Sequence, residues 1–375
     1  MKSFKAGAYV SQGSYKSFQP DYINRQWIFD DSELQTLLSK AAYCIGQLDM
    51  CSRYIPNIDL FIRMHILKEA TQSSKIEGTQ TNMEEALLER EDIPVDKRDE
   101  WEEVQNYIAA MNHAVDLLTT LPLSSRLIRE THRVLMQGVR GKHKQPGEFR
   151  NSQNWIGGSN INDAVFVPPV HTSVGELMSD IEKFIHNDTV FVPELLKIAI
   201  VHYQFETIHP FLDGNGRVGR LLITLYLVGI NLLKRPILYL SDYFERNRNQ
   251  YFSSLMQVRE KNDMEQWLKF FLRGVIEISE QSIATLSEVM QLQRDVDEKI
   301  QTLKSKTHNA KIVVNHLYQH PMVDATKVVS FTGLSIPSAY KLISDLERLE
   351  ILIETTGGKR DKNYVFQSYI NAYKK

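Results

Sequence analysis

The chain has 375 residues, 42% of them apolar and 24% charged, the make-up of a globular protein of two or three domains rather than a disordered, collagenous or low-complexity chain. Lys plus Arg (44) nearly cancel Asp plus Glu (46), so the net charge of −2 gives no general attraction to nucleic acid or an anionic membrane. Any anion site must be local.

The first residues, with Lys2 and Lys5 followed by Ala-Gly-Ala-Tyr-Val-Ser-Gln-Gly, hold no apolar run suited to a signal peptide. Cys44 and Cys51, seven apart in one helical stretch, are expected to share a buried face rather than a disulfide, which fits a reducing compartment. The longest apolar run, Leu221 to Leu233, includes Thr224 and Asn231 and falls short of the ~20 residues that span a bilayer. The expected location is the cytoplasm, without membrane contact.

Helical periodicity runs from Ser32 to about Leu118, broken near Pro56 and Pro94, and predicts an all-helical N-terminal region over 1–118. Another helix runs from Ser124 to Gly138 and ends in a basic, Pro/Gly-rich loop. Between Phe149 and Pro169 the pattern changes to two short strands, around Trp155-Ile156-Gly157-Gly158 and Val165-Phe166-Val167, which read as a flap. Helices are expected again at Ser173–His186, Val192–Ile208, Arg217–Leu233, Ser241–Glu260 and Met264–Glu280, completing a core over 119–285. A polar linker helix covers 286–306, with a domain boundary at Thr307. Over 307–375 come three short helices (Lys311–His320, Asp324–Phe331, Ser335–Leu349) and a hairpin around Ile351–Glu354 and Tyr364–Phe366, the order of a winged helix. The expected fold is mainly α: a helical bundle with a β-hairpin flap plus a C-terminal winged-helix domain.

The most informative stretch is His209-Pro210-Phe211-Leu212-Asp213-Gly214-Asn215-Gly216-Arg217-Val218-Gly219-Arg220. One apolar helix ends near Ile208 and another begins near Arg217, and Gly214 and Gly216 clear side chains from the backbone N–H groups between them, leaving a concave anion site. Arg217 and Arg220, three apart, can both reach phosphate. Asp213 is a hard oxygen ligand suited to Mg²⁺. His209, neutral at pH 7, is the general base within reach.

These residues match H-x-F-x-[DE]-G-N-G-R-x-x-R at every specified position, and the sequence resembles the Fic-domain AMP transferases. The resemblance implies that His209 deprotonates a Ser, Thr or Tyr hydroxyl of a target protein, which attacks the α-phosphorus of ATP. It implies that Asp213 holds Mg²⁺ between the α- and β-phosphates. Gly214, Asn215 and Gly216 would hold the α-phosphate, and Arg217 to Arg220, with Val218 and Gly219 between them, the β- and γ-phosphates. The segment holding Ile156, Gly157, Gly158, Phe166 and Val167 resembles the family's flap, which registers the target by strand addition, though a plain lid is an alternative. Ser241 is placed as a helix cap, with Tyr243, Asn247 and Tyr251 on one face; Tyr251 is a candidate for packing on adenine, or else a core residue.

Ser73-Ser74-Lys75-Ile76-Glu77-Gly78 matches the family's inhibitory motif [ST]-x-x-x-E-[GN] over 73–78. By resemblance, Ser73 and Gly78 flank Glu77, whose carboxylate pairs with Arg220 where the ATP γ-phosphate would bind and holds the enzyme idle. A surface acid beside a helix-ending glycine is the bland alternative. The winged helix would present Ser338, Lys341 and Ser344 on its third helix and Lys359, Arg360 and Lys362 on its wing, but from His308 to Lys375 nine basic residues face six acidic ones, a thin footprint for DNA. Docking of a protein partner ranks ahead of DNA binding, and a homodimer and self-modification both stay open. The alternatives to AMP transfer are other chemistry on the same fold, such as UMP transfer or removal of AMP, and a nucleotide-sensing DNA-binding regulator.

Overall fold

The computed structural model describes residues 4–55, 58–138, 144–355 and 362–374. It opens with two antiparallel strands, β1 (Gly7–Ser11) and β2 (Lys16–Pro20), in the register Gly7 to Pro20. This corrects the all-helical reading of 1–118. The hairpin forms because Phe18 buries its ring against Phe166 while its N–H donates to Val167 O at 2.9 Å, so a distant segment rewards a strand too short to announce itself.

Helices α1 (Ser32–Tyr54), α2 (Asp59–Ile76), α3 (Met83–Leu87), α4 (Arg98–Leu117) and α5 (Ser125–Leu135) follow. Their starts carry the side-chain caps that satisfy free N–H groups: Asp31 on Leu34, the Asn82–Glu85 capping box, and Ser124 on Leu127. Next come α6 (Val174–His186), α7 (Glu194–Ile208), α8 (Asn215–Gly229), α9 (Ser241–Arg246), α10 (Arg248–Lys261) and α11 (Met264–Gln301). Every residue of α7 after Glu194 is buried, so α7 is the central rod of the bundle, with α8 against it.

Two boundaries differ from expectation. The helix expected over Ser241–Glu260 breaks at Asn247, and Ser241 is the first residue of α9 rather than its cap. The linker helix at 286–306 is not a separate element: α11 runs unbroken for 38 residues, because Leu286, Val289, Val296 and Ile300 continue its buried stripe.

The C-terminal unit comprises α12 (Thr307–Gln319), β3 (Met322–Val323), α13 (Ala325–Thr332), α14 (Ile336–Arg348), β4 (Ile353–Glu354), β5 (Tyr364–Val365) and α15 (Gln367–Tyr373), its antiparallel strands in the order β3-β5-β4. Strand β3 and α15 were not foreseen. The unit packs on α2: Tyr318 meets Phe61 edge-on at 5.3 Å with Tyr369 tilted beside it, Tyr373 crosses His65 at 5.0 Å, and Tyr373 Oη donates to Phe61 O at 3.3 Å. Ser338, Lys341 and Ser344 of α14 are exposed and Lys362 pairs with Glu354 at 2.7 Å, while Lys359 and Arg360 lie outside the described residues. Cys44 is buried and neither Cys44 nor Cys51 is in a disulfide. No helix among the described residues is long and apolar enough to cross a membrane.

Candidate active site

The loop between α7 and α8 is held open by polar anchors from elsewhere in the chain. His209, at the end of α7, takes the left-handed conformation (φ 50°, ψ 61°), which turns the chain out of the helix. Its carbonyl accepts from Arg150 Nε (2.9 Å) and Asn154 Nδ2 (3.2 Å), and the same Arg150 guanidinium donates to the carbonyls of Ile208, Pro169 and Ser152. Phe211 is buried and stacks on the His132 ring at 3.7 Å. Gly147 N–H donates to His132 Nδ1 and His132 Nε2 faces Asp213 O at 3.0 Å, which fixes the neutral Nε2–H tautomer. Burial, the largest cause, agrees by pushing His132 down to about 4.

His209 itself is pushed down to about 4, chiefly by burial, with Glu77 acting the other way. It is therefore unprotonated at neutral pH, and its Nδ1 finds no partner among the described residues. Asp213 stands at the rim with 48% of its side chain exposed, its Oδ1 accepting from Gly214 N–H and lying 3.9 Å from Arg217. Gly214 is at φ 74°, where a Cβ would sit 2.8 Å from Met136 Sδ, so both backbone and space require glycine.

Asn215 has a structural task in the loop. Its Oδ1 accepts from Phe211 N–H and its Nδ2 donates to Phe211 O, both at 2.8 Å, and the residue is buried. Both ends of the amide brace the loop, while the second N–H of Nδ2 is not used in these two bonds. The free N–H groups at the start of α8 remain as anion donors.

A carboxylate already lies over them. Glu77 closes α2, and its Oε1 accepts from Arg220 at 2.7 Å, while Ser73 accepts from Arg220 Nε through Oγ (2.8 Å) and from Arg220 through its carbonyl (2.9 Å). A Cβ on Gly216 would sit 2.2 Å from Glu77 Oε1, which places the carboxylate directly above the first turn of α8. Gly78, at φ 105°, lets the chain leave α2 at once. Burial works to raise the Glu77 carboxyl, but Arg220, backed by Arg217 and His209, outweighs it and holds Glu77 below the usual carboxylate range. Burial likewise opposes the Arg220 charge, and Glu77 keeps it firmly protonated.

Arg217 turns the other way, toward Glu103 of α4 at 3.4 Å, and Glu103 also accepts from Thr79 just past Gly78. Arg217 Nε has no partner among the described residues. Val218 and Gly219 are buried in α8, and a Cβ on Gly219 would strike Glu206 Oε1.

Two other expected positions lie elsewhere. Tyr251 is in the core, stacked on Phe244 at 4.5 Å and donating to His202 Nε2 at 2.9 Å, with no face left for an adenine. The flap is reduced to one antiparallel bridge, Ile156 to Phe166, because Gly157 and Gly158 turn into the left-handed region and Pro168 and Pro169 cannot donate. Gly157 and Gly158 are exposed and Ile156 is half-buried against the core, while Phe166 and Val167 are buried, Phe166 beneath the Arg259 guanidinium at 3.9 Å. They anchor the flap and do not present it.

The sequence reading missed Glu206, a buried acid on the otherwise apolar α7, pushed up to about 7 chiefly by burial and felt by both Arg220 and Glu77. A lone Glu within Ile-Ala-Ile-Val-His-Tyr-Gln-Phe-Glu-Thr-Ile was the available signal. Among the described residues no group of three or more His, Cys, Asp or Glu could hold a metal ion. Asp213 alone, rim-exposed and hard, fits a Mg²⁺ whose other ligands arrive with a nucleotide's phosphates.

Comparison with known proteins agrees with this geometry. Residues 35–116 match the Fic/DOC family N-terminal model and residues 122–227 the Fic/DOC family model, together about half of the chain. A protein adenylyltransferase Fic of Aedes aegypti is 30% identical over 175 residues, 46% of this chain and 32% of that protein. A probable protein adenylyltransferase of Aquifex aeolicus is 36% identical over 115 residues, 31% of this chain and 32% of that protein. The chain thus spans about a third of the length of these curated relatives. The crystal structure of a Fic family protein from Desulfovibrio desulfuricans superposes with a TM-score of 0.58 at 19% identity, covering 91% of this chain and 98% of the other. A Fic domain containing signaling protein from Bacteroides thetaiotaomicron gives 0.53 at 18%, over 68% and 97%. Motif, fold and family models agree: the chain belongs to the Fic/DOC family.

Proposed function

We propose that this protein transfers AMP from ATP to a Ser, Thr or Tyr hydroxyl of a target protein, and that Glu77 holds the reaction back. The observation that carries the reading is the pairing of a neutral His209 with an anion cradle at the start of α8 that Glu77 now occupies. His209 would take the hydroxyl proton as the oxygen bonds to the α-phosphorus, and the bond from that phosphorus to the β-phosphate oxygen would break to release pyrophosphate. The α8 N–H groups would receive the charge that develops on the phosphate oxygens. Mg²⁺, held by Asp213, would supply charge neutralisation on the phosphates. With Glu77 on Arg220, a γ-phosphate has no guanidinium to settle on and the α-phosphate is not aligned for attack.

The test is incubation of wild type, Glu77→Gly and His209→Ala with Mg²⁺ and ATP labelled at the α- or the γ-phosphate, followed by measurement of protein-bound label, self-modification included. Label retained from the α-position only, strongest in Glu77→Gly and absent in His209→Ala, supports the reading. Retention from the γ-position makes the reaction a phosphorylation, and labelling that His209→Ala leaves unchanged refutes the base.

A second reading rests on the exposed Ser338, Lys341 and Ser344 face of α14, which a winged helix could lay in a DNA groove. A salt-dependent mobility shift on genomic fragments, lost in Lys341→Ala, tests it.

A further inference from the structure

A second site stands apart from His209, where the C-terminal unit meets the N-terminal helices. A cleft of about 420 Å³ opens between α2, α3 and α4 on one side and α12 and α13 on the other, within the range of small-molecule pockets. One wall is a ladder of flat rings: His316 stacks on Phe331 at 4.4 Å and on His320 at 4.9 Å. The opposite side includes Trp101, whose indole N–H finds no acceptor among the described residues. The charged groups are biased to one sign. Arg63 and Lys327 are cationic, two imidazoles stand beside them, and the acid lining the cleft is Glu89, which sits on Lys327 at 2.9 Å.

The cationic side is short of acceptors. Arg63 donates to His320 Nε2 at 2.9 Å, so His320 is held neutral with its proton on Nδ1, and a guanidinium is spent on an imidazole where a carboxylate would bind it better. Burial first, then Arg63, His316 and Lys327, pushes His320 down to about 4. Cations gathered beside flat apolar walls, with an unpartnered N–H donor, describe the complement of one ligand chemistry.

We propose that this cleft binds a small planar organic anion, an aromatic ring carrying a carboxylate or phosphate, with the anion on Arg63 and Lys327 and the ring between Trp101 and the His316–Phe331 stack. The site does not depend on the reading of the His209 centre and can be tested whatever reaction that centre performs. Because Arg63 lies on α2, the ligand would touch the helix that carries Ser73 and Glu77 at its other end.

The probe is 8-anilinonaphthalene-1-sulfonate, a fluorescent anion built on a flat naphthalene ring, titrated into the full chain beside N-phenyl-1-naphthylamine, which keeps the rings and lacks the charge. Wild type should show one saturable site for the anion, with energy transfer from tryptophan that Trp101→Phe lowers, the other three tryptophans remaining as donors. Arg63→Gln and Lys327→Gln should each weaken the anion by about tenfold and leave the neutral probe unchanged. Displacement by benzoate against phenyl phosphate then separates carboxylate from phosphate ligands. Circular dichroism and thermal melting of each variant identify any loss of fold, and Lys327→Gln, on an exposed side chain, serves if Arg63→Gln is destabilised. No saturable binding by wild type, equal binding of charged and neutral probes, or indifference to both charge variants would overturn the proposal.

Discussion

Replacing Glu77 by Gln keeps the shape and the acceptor oxygen of the side chain and removes only its charge, so it isolates the ion pair to Arg220. The contact is a charge-assisted bond of 2.7 Å to a guanidinium that is 2% exposed, and such bonds contribute about 1.5–3 kcal/mol. The Glu77 side chain is 41% exposed, so water screens it and the lower end applies, about 1–2 kcal/mol. If that free energy holds the carboxylate in the anion cradle, its loss raises the fraction of molecules open to a γ-phosphate by about 5–30-fold. Initial rates of α-label transfer at low ATP should therefore rise by that factor in Glu77→Gln, and further in Glu77→Gly, which also removes the acceptor. The same pair predicts a pH signature in folding. Because the folded carboxyl is depressed, its stabilisation is present above the unfolded value of about 4.3 and is lost as pH falls through the lower folded value. The stability gap between wild type and Glu77→Gln should thus hold at pH 6–8 and close in acid. Equal transfer rates in wild type, Glu77→Gln and Glu77→Gly would refute the inhibitory reasoning, and a gap that widens in acid would refute the charge assignment.

Three further outcomes follow from the geometry. In a Glu77→Gly/Glu206→Gln background, which removes the other carboxyl titrating near neutrality, transfer should show no acid limb between pH 5 and 8, because His209 is already neutral there; an inflection near 6.5 would show an imidazole that is not desolvated. Glu206 is raised in the folded state, so wild type should lose stability as pH rises from about 4.3 toward 7, and Glu206→Gln should remove up to about 3 kcal/mol of that decline in urea titrations at pH 5 and 8; parallel profiles would contradict the raised value. Arg150→Lys cannot serve four carbonyls at once, and should lower stability by about 2–4 kcal/mol through its urea midpoint at unchanged slope; a loss under about 0.5 kcal/mol would mean the loop does not depend on the guanidinium.

The sequence revealed the chemistry that is local and hid the partnerships that are not. The loop from His209 to Arg220 was legible because its glycines, its leading histidine and its arginine spacing each have a backbone or charge reason that neighbours do not alter. The loop-bracing task of Asn215 was not legible: its type suits a phosphate, and only the fold shows that its amide also bonds the Phe211 N–H and carbonyl. For Tyr251 the sequence left adenine packing and core packing both open, and the structure puts it in the core against His202, on a helix that starts anew after the break at Asn247. The N-terminal strands could not be read because Tyr9 and Val10 remain exposed, so only Phe18 marks the buried side and its partner lies at Phe166. The continuity of α11 was hidden by polar residues that face solvent, which look like a linker until every third or fourth position is checked for burial.

The glycine at 216 has two demands on it, and they arise from one geometry. A start of α8 without a side chain leaves N–H groups open to a phosphate, and the same opening receives the Glu77 carboxylate, whose oxygen would lie 2.2 Å from any Cβ there. Carboxylate and phosphate are recognised by the same features: free N–H groups, a guanidinium and a lack of bulk. The proposed inhibition would therefore need no separate site, only a second anion held on a helix that can be anchored elsewhere. Here the anchoring is visible. Ser73 fixes one end of α2 to Arg220, and Phe61, Arg63 and His65 at the other end are fastened to Tyr373 and His320 of the C-terminal unit. An α-helix transmits displacement along its axis far better than a loop would, and α2 is 18 residues long, about 27 Å. The C-terminal unit and the anion cradle thus contact opposite ends of one helix, the helix that ends at Glu77.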